Sequence, residues 1–156
     1  MTHSRLILLD SCSLISLYAS AHFDSLLVSI SGERCIADYV HRESQFIRNR
    51  LPDGDEEREP IRLDDALEQG LLRVLELESE AEFEQFLALA LRLDEGEAAT
   101  LTIAASRNGI VISDDRKALS IANELSVPTI TTLDVLRLWS ETSNVAGRTL
   151  QTALAN

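Results

Sequence analysis

The chain has 156 residues, 45% of them hydrophobic, and its 26 acidic and 14 basic side chains give a formal net charge of −12. This length is enough for one domain with a core of its own. Two widely separated cysteines, Cys12 and Cys35, exclude a disulfide framework or a cysteine zinc site and are typical of a reducing compartment. The excess of acids favours cation binding and argues against a broad electrostatic footprint for nucleic acid.

The N-terminus superficially imitates a signal peptide, because an apolar stretch from Leu6 to Tyr18 follows a short polar start. Asp10 interrupts this stretch, and a central Asp costs about 2.5–3.5 kcal/mol on membrane-insertion scales. No run of 18 apolar residues is present, so no transmembrane helix is expected. We therefore expect a cytoplasmic protein without a membrane partner.

The first half of the chain alternates between strand and helix patterns. Arg5-Leu-Ile-Leu-Leu9 is typical of a buried strand, and Asp10 directly after it is suited to capping the helix that follows. Further elements are predicted as a helix over 23–30, a strand over 34–37 and a helix over 38–47.

Residues 49–62 are the clearest interruption of this pattern. They contain two prolines, one glycine and five consecutive charged residues. This composition predicts an exposed charged loop rather than a domain boundary, because the parts on either side are each too small for an independent core. We therefore predict a single domain over residues 1–156, with a charged loop at about 49–62.

Two capping patterns mark helix starts in the second half. Ser79 with Glu82 forms a capping box, and Asp94 with Glu97 forms a second cap-like pair. Before them, a short helix over 64–69 stops at Gly70, and a strand is predicted over 71–77.

A buried strand that ends on two carboxylates lies in the last third of the chain. Ile110-Val-Ile112 is apolar and β-branched, and Asp114 and Asp115 follow it. Helical spacing of apolar residues precedes and follows this strand, and a second short strand is predicted over 127–131. The alternation predicts parallel strands joined by helices. In such sheets, chemistry takes place outside the carboxyl ends of the strands.

Four acids lie in or next to predicted strands and helices. Asp10 and Asp114 follow strands, Glu43 lies in a helix and Glu97 lies at a helix start. Taken singly, helix caps or solvated side chains account for them equally well. Together with their flanking segments, they make the chain resemble the PIN domains, the metal-dependent ribonuclease family that includes the VapC-like toxins of toxin–antitoxin systems. The segments are Leu-Ile-Leu-Leu-Asp10-Ser-Cys-Ser, Ile-Ala-Asp-Tyr-Val-His-Arg-Glu43, Gly-Glu97-Ala-Ala-Thr-Leu-Thr-Ile-Ala and Ile-Val-Ile-Ser-Asp114-Asp115-Arg-Lys-Ala.

This resemblance extends from about Leu6 to Leu138. It implies an α/β fold, a PIN-like three-layer α/β/α arrangement with a central parallel sheet of four to five strands. It also implies a metal-dependent endoribonuclease that acts on single-stranded RNA with Mg²⁺ or Mn²⁺. A protein antitoxin and a homodimer are expected on the same ground.

The resemblance also assigns roles to residues. Asp10, Glu43, Glu97 and Asp114 take the positions of the catalytic, metal-binding acids, with Asp115 as a fifth metal candidate. Hard divalent cations prefer such oxygen ligands, and a bound ion activates water against a phosphate. Ser11 and Ser113 are candidates for orienting the carboxylates, with helix capping as the alternative. Candidate RNA contacts are the bases nearest the acids, for which ordinary surface charge is the alternative: Arg42, Arg48, Arg116 and Lys117.

Other classes fit less well. A phospho-acceptor receiver domain requires a lysine after its last strand, where this chain has Thr132 and Leu133. A dinucleotide-binding module requires a Gly-x-Gly-x-x-Gly run, and a serine hydrolase requires a nucleophile elbow, both of which the sequence lacks. Two alternatives stay open: a catalytically silent PIN-like module that binds a protein, and a housekeeping PIN nuclease without an antitoxin.

Overall fold

The computed structural model describes residues 4–143, except the side chains of residues 48, 49 and 143. The strands are β1 (Leu6–Leu9), β2 (Glu33–Ala37), β3 (Phe46–Arg50), β4 (Glu56–Pro60), β5 (Arg73–Leu75), β6 (Ile110–Ile112) and β7 (Thr129–Ile130). The helices are α1 (Ser11–Ala19), α2 (Phe23–Ser29), α3 (Asp38–Glu43), α4 (Asp64–Glu68), α5 (Glu80–Ala90), α6 (Glu95–Ser106), α7 (Arg116–Glu124) and α8 (Thr132–Ser143). None of these helices is both long enough and apolar enough to cross a membrane.

Five parallel strands form the central sheet in the order β5-β2-β1-β6-β7, flanked by helices. The predicted α/β fold is therefore confirmed. Because all five strands run in one direction, their carboxyl ends meet at one edge of the sheet. Asp10 directly follows β1, and Asp114 lies two residues beyond β6.

The core is aliphatic, and α6 passes through it. Leu8 and Leu9 on β1 are fully buried, and every residue of α6 from Ala98 to Ala104 is buried. The small side chains of Ala98 and Ala99 let this helix pack closely. Since α6 also contacts β1, β2 and β6, its first turn is held firmly beside the carboxyl edge of the sheet.

The helix predicted over 38–47 is wrong beyond Glu43. Helix α3 ends there, and only Ser44 and Gln45 separate it from β3. Phe46 is 50% exposed whereas Ile47 is 9% exposed, so adjacent apolar residues point to opposite faces. This alternation is the period of a strand, and two neighbouring apolar residues were too few to distinguish it from a helix.

The charged segment predicted as a loop at 49–62 instead forms most of an antiparallel hairpin, β3–β4. Its turn is closed by a hydrogen bond from Leu51 N to Asp55 O of 2.7 Å, and Gly54 takes a positive φ of 90°. All five residues of β4 are exposed, as the composition predicted. No apolar alternation revealed the strand, because backbone pairing with β3 holds it without burial of its side chains.

A buried ion pair joins the start of α5 to the end of α6. Glu82 is 3% exposed and receives two hydrogen bonds from Arg107, both of 2.9 Å. Ser79 caps α5 as predicted, accepting from the backbone of Glu82. The Glu82 carboxylate accepts from the backbone N–H of Glu78 at 2.8 Å, one residue before the expected capping-box partner.

Candidate active site

Asp10 is a buried carboxylate at the carboxyl end of β1. It is 3% exposed, and its Oδ1 accepts the backbone N–H of Ser13 at 2.8 Å, which makes it the cap of α1. Burial raises the pKa of the Asp10 carboxyl, and the nearby charge of Asp114 raises it further. Hydrogen bonds from Ser113 and from the Ser13 backbone act in the opposite direction. Asp10 therefore caps α1 and also lies near a second acid, Asp114.

Asp114 and Asp115 follow β6 but have different surroundings. Asp114 is exposed, and its carboxylate accepts from the backbone N–H of Thr132 at 2.9 Å and from the Thr132 hydroxyl. Asp115 caps α7 by accepting from the backbone of Ala118 at 2.8 Å. The buried Ser113 hydroxyl accepts the Asp115 backbone N–H at 3.1 Å and also bonds Asp10. Ser113 thus connects the two strand ends.

Glu43 reaches this edge from the end of α3. The Ser11 hydroxyl donates to its Oε1, and a Cβ placed on Gly96 would lie only 1.7 Å from that oxygen. The carboxylate therefore occupies space that only a glycine in the first turn of α6 leaves free. Partial burial raises the pKa of Glu43, the Ser11 hydrogen bond lowers it, and the charges of Asp94 and other nearby acids raise it.

Glu97 stands on the same first turn of α6. Asp94 caps this helix, accepting the Glu97 backbone N–H at 2.8 Å, as the sequence predicted. Burial raises the pKa of the Glu97 side chain to about 7, with further contributions from the charges of Asp94, Asp115 and Asp10. A carboxyl with this pKa holds a proton part of the time at neutral pH.

The four predicted acids thus share one region, and the charge of Asp10 contributes to the raised pKa of both Glu43 and Glu97. They do not share a coordination sphere in this arrangement. Across residues 4–143, no group of three or more His, Cys, Asp or Glu side chains is placed to hold a metal ion. The hydrogen bonds of Asp114 to Thr132 and of Glu43 to Ser11 direct these carboxylates toward protein donors.

The chemistry of this donor set nevertheless suits a hard divalent cation. The side chains supply oxygens only, as Mg²⁺ and Mn²⁺ prefer. Two carboxylates about 4 Å apart repel by roughly 4 kcal/mol at an effective dielectric constant of about 20. Burial raises the pKa values of Asp10, Glu43 and Glu97, and the charges of neighbouring acids raise them further. A bound cation would remove that repulsion.

The predicted basic residues occupy various places. Arg42 pairs with Asp38 of its own helix at 3.2 Å and lies 4.6 Å from the Tyr39 ring centroid. Arg116 and Lys117 are exposed on the first turn of α7, directly after Asp115. The side chain of Arg48 lies outside the described part of the structure.

The sequence interpretation missed Thr132 and Gly96. Thr132 follows β7 at the same edge as the acids, so the rule that sites form at strand ends could have identified it. Gly96 lies in the first turn of a helix, and glycine is a poor helix former, costing about 0.5–1 kcal/mol relative to alanine in a helix interior. A close approach of another group, here Glu43, is one reason to keep a glycine at such a position.

A family model described as a PIN domain (DUF3368) matches residues 6–155. The chain belongs to the PIN-domain family. A solved structure similar to this PIN domain is that of a PilT N-terminus domain protein, SSO1118, from the hyperthermophilic archaeon Sulfolobus solfataricus P2. The two structures align with a TM-score of 0.53, and the two chains are 15% identical in sequence. The alignment covers 86% of this chain and 92% of the other chain. None of the curated proteins compared with the chain matches it.

Family membership confirms the predicted resemblance. PIN domains are generally nucleases and generally use divalent metal ions. At 15% identity the solved structure supports the fold alone. The individual roles of Asp10, Glu43, Glu97 and Asp114 in this PIN domain stay predictions.

Proposed function

We propose that this PIN domain is a metal-dependent endoribonuclease that cleaves single-stranded RNA with Mg²⁺ or Mn²⁺. The observation that carries the proposal is the meeting of Asp10, Glu43, Glu97 and Asp114 at the carboxyl edge of the sheet, where their charges affect one another. In open α/β folds this is the edge at which ligands bind.

The residues would have separate roles in such a site. Asp10, Glu43, Glu97 and Asp114 would hold the cation, with Asp115 beside them as the cap of α7. When bound, the ion supplies Lewis acidity, which activates water and neutralises charge on the scissile phosphate. Ser11 and Ser113 orient Glu43 and Asp10 through hydrogen bonds. Glu97 must release its proton before it can bind a cation.

Purified protein is expected to cleave unstructured RNA oligonucleotides when Mg²⁺ or Mn²⁺ is added, and excess EDTA should abolish the cleavage. Product formation on a denaturing gel provides the measurement. DNA oligonucleotides of the same sequence test whether the substrate is RNA. A protein that cleaves no RNA with either metal, yet binds a protein partner tightly, would support the catalytically silent alternative instead.

Millimolar Mn²⁺ or Mg²⁺ is expected to raise the melting temperature, because a ligand that binds only the folded state stabilises it. At 100 times its dissociation constant, the stabilisation is about 2.7 kcal/mol. Differential scanning fluorimetry provides the measurement. Asp10→Asn should reduce the shift, whereas Glu84→Gln, an exposed change on α5, should retain it. A full metal response in Asp10→Asn would mean that this acid serves as a helix cap only.

The toxin role is a further part of the proposal and rests on the resemblance to VapC-like toxins. Induced expression of the chain alone is expected to arrest bacterial growth, and Asp10→Asn should relieve the arrest. An antitoxin should restore growth and form a stable complex, and a homodimer is expected by light scattering. Active nuclease without growth arrest would support the housekeeping alternative.

A further inference from the structure

The hairpin β3–β4 separates its charges onto two faces. Alternate residues of a strand point to opposite sides, and Ile47, which is 9% exposed, identifies the side facing the body of the protein. Glu57 and Glu59 share the register positions of this inner side, opposite Asn49 and Ile47. The outer positions are occupied by three arginines, one aromatic residue, one proline and one acid: Arg48, Arg50, Arg58, Phe46, Pro60 and Glu56.

An exposed aromatic ring lies beside an arginine on this outer side. Phe46 is 50% exposed, although it sits next to the buried Ile47. The guanidinium of Arg58 is 6.0 Å from the centroid of the Phe46 ring, at the outer limit of a cation–π contact. Exposed aromatic rings beside cations are the elements with which proteins stack the bases of single strands.

The backbone of Arg48 pairs with that of Arg58, so the register places two outer arginine positions opposite each other. Among residues 4–143, neither Arg50 nor Arg58 belongs to an ion pair within 4.0 Å. A polyanion lying along this side would provide ionic partners for these two arginines.

The hairpin begins close to the acidic edge. Phe46 follows Glu43 by three residues, so their Cα atoms are at most about 11 Å apart. The base of the hairpin is fixed by hydrogen bonds from Ile61 N to Gln45 O at 2.9 Å and from Arg62 N to the Tyr18 hydroxyl at 3.1 Å. A strand of RNA bound at the acids can therefore continue onto the hairpin.

We propose that the outer side of the hairpin, carrying Phe46, Arg50 and Arg58, binds single-stranded RNA outside the scissile position. This inference rests on the proposed ribonuclease function and names where that substrate is held. It explains how a chain with a net charge of −12 retains a polyanion. The pleat places cations on one surface, while most of the acids of the two strands occupy the other.

The inference is tested by measuring RNA binding in the absence of a metal ion, so that the RNA is not cleaved. Fluorescence anisotropy of a labelled single-stranded RNA is measured in EDTA over a series of salt concentrations. For single strands, the logarithm of the affinity falls with the logarithm of salt by about 0.7 for each phosphate contact. Arg50→Gln with Arg58→Gln should therefore reduce the slope by about 1.4 and weaken binding. Phe46→Ala should weaken binding about five-fold or more with an unchanged slope, because stacking is not ionic.

The matched control removes two arginines elsewhere. Arg92→Gln with Arg137→Gln changes the net charge equally at exposed positions outside the hairpin and should leave the slope close to that of the wild type. The substituted hairpin residues are exposed, so melting temperatures should be preserved. Polyglutamate at equal charge concentration should not displace the RNA.

Each outcome decides the inference. Hairpin variants with wild-type affinity and slope would overturn it, as would wild-type protein that does not bind RNA in EDTA. Displacement by polyglutamate would overturn it in favour of an acidic protein partner. Metal-dependent cleavage by the wild type is measured separately, so its presence or absence distinguishes a failure of the hairpin inference from a failure of the ribonuclease proposal.

Discussion

Replacing Asp10 or Asp114 by Asn is expected to lower the rate of RNA cleavage by at least ten-fold, which is about 1.4 kcal/mol of transition-state stabilisation. The substitution keeps the shape of the side chain but removes the charge that binds a cation. Asn caps helices about as well as Asp, so Asp10→Asn should keep α1 intact. Glu43→Gln and Glu97→Gln should have effects of similar size. Single-turnover rates at saturating metal provide the measurement.

The effects of these substitutions should not add, because the four acids act through one site. Asp10→Asn combined with Asp114→Asn is therefore expected to be little slower than the slower single variant. Glu84→Gln on α5 is the control and should cleave normally. Glu95 is a poor control despite its exposure, because its charge contributes to the raised pKa of Glu43. Cleavage that survives all four substitutions would show that the acids are misassigned.

Glu82→Gln is expected to destabilise the fold by about 3 kcal/mol at neutral pH. The ion pair with Arg107 lowers the pKa of Glu82 from 4.5 to about 2, and each unit is worth 1.36 kcal/mol. Breaking the pair from one side also leaves the Arg107 charge, whose side chain is 20% exposed, with the more distant Glu78 carboxylate at 3.7 Å as its remaining acidic partner. Urea unfolding of wild type and variant provides the measurement.

The effect of Glu82→Gln should depend on pH in a defined direction. Because the pKa of Glu82 is lowered on folding, the stabilisation is fully present above about pH 4.5 and is lost as the pH falls toward 2. The two proteins should therefore converge in stability over that range. Glu124→Gln is a matched control, since Glu124 receives the same two-point contact from Arg92 at an exposed site. It should have a much smaller effect, and an equal effect would contradict the role assigned to burial.

Local chemistry allowed much of the fold to be predicted from the sequence. The apolar runs of β1 and β6 specified buried strands, and the caps Asp10, Ser79 and Asp94 marked helix starts that the structure confirms. Parallel topology followed from the alternation of strands and helices. These signals are local in sequence, because hydrophobic periodicity and capping each involve residues within a few positions of one another.

The hairpin could not be predicted in this way. β4 consists of Glu-Glu-Arg-Glu-Pro and contains no apolar residue, so only its pairing with β3 makes it a strand. The predicted helix over 38–47 was wrong for a related reason, since the exposure of Phe46 and the burial of Ile47 depend on the surface beneath them. Both errors occurred where backbone pairing between neighbouring strands, rather than side-chain periodicity, determines the structure.

The sequence by itself determined that Asp10 and Asp114 follow predicted strands, and the resemblance to PIN domains assigned both acids to one site. Only the tertiary structure decided how the carboxylates are held: Glu43 against Gly96, and Asp114 on Thr132. It also decided that the pKa of Glu97 rises to about 7. These properties depend on burial and on distances between residues far apart in the chain. Such distances arise only when α3, α6 and the strand ends pack together.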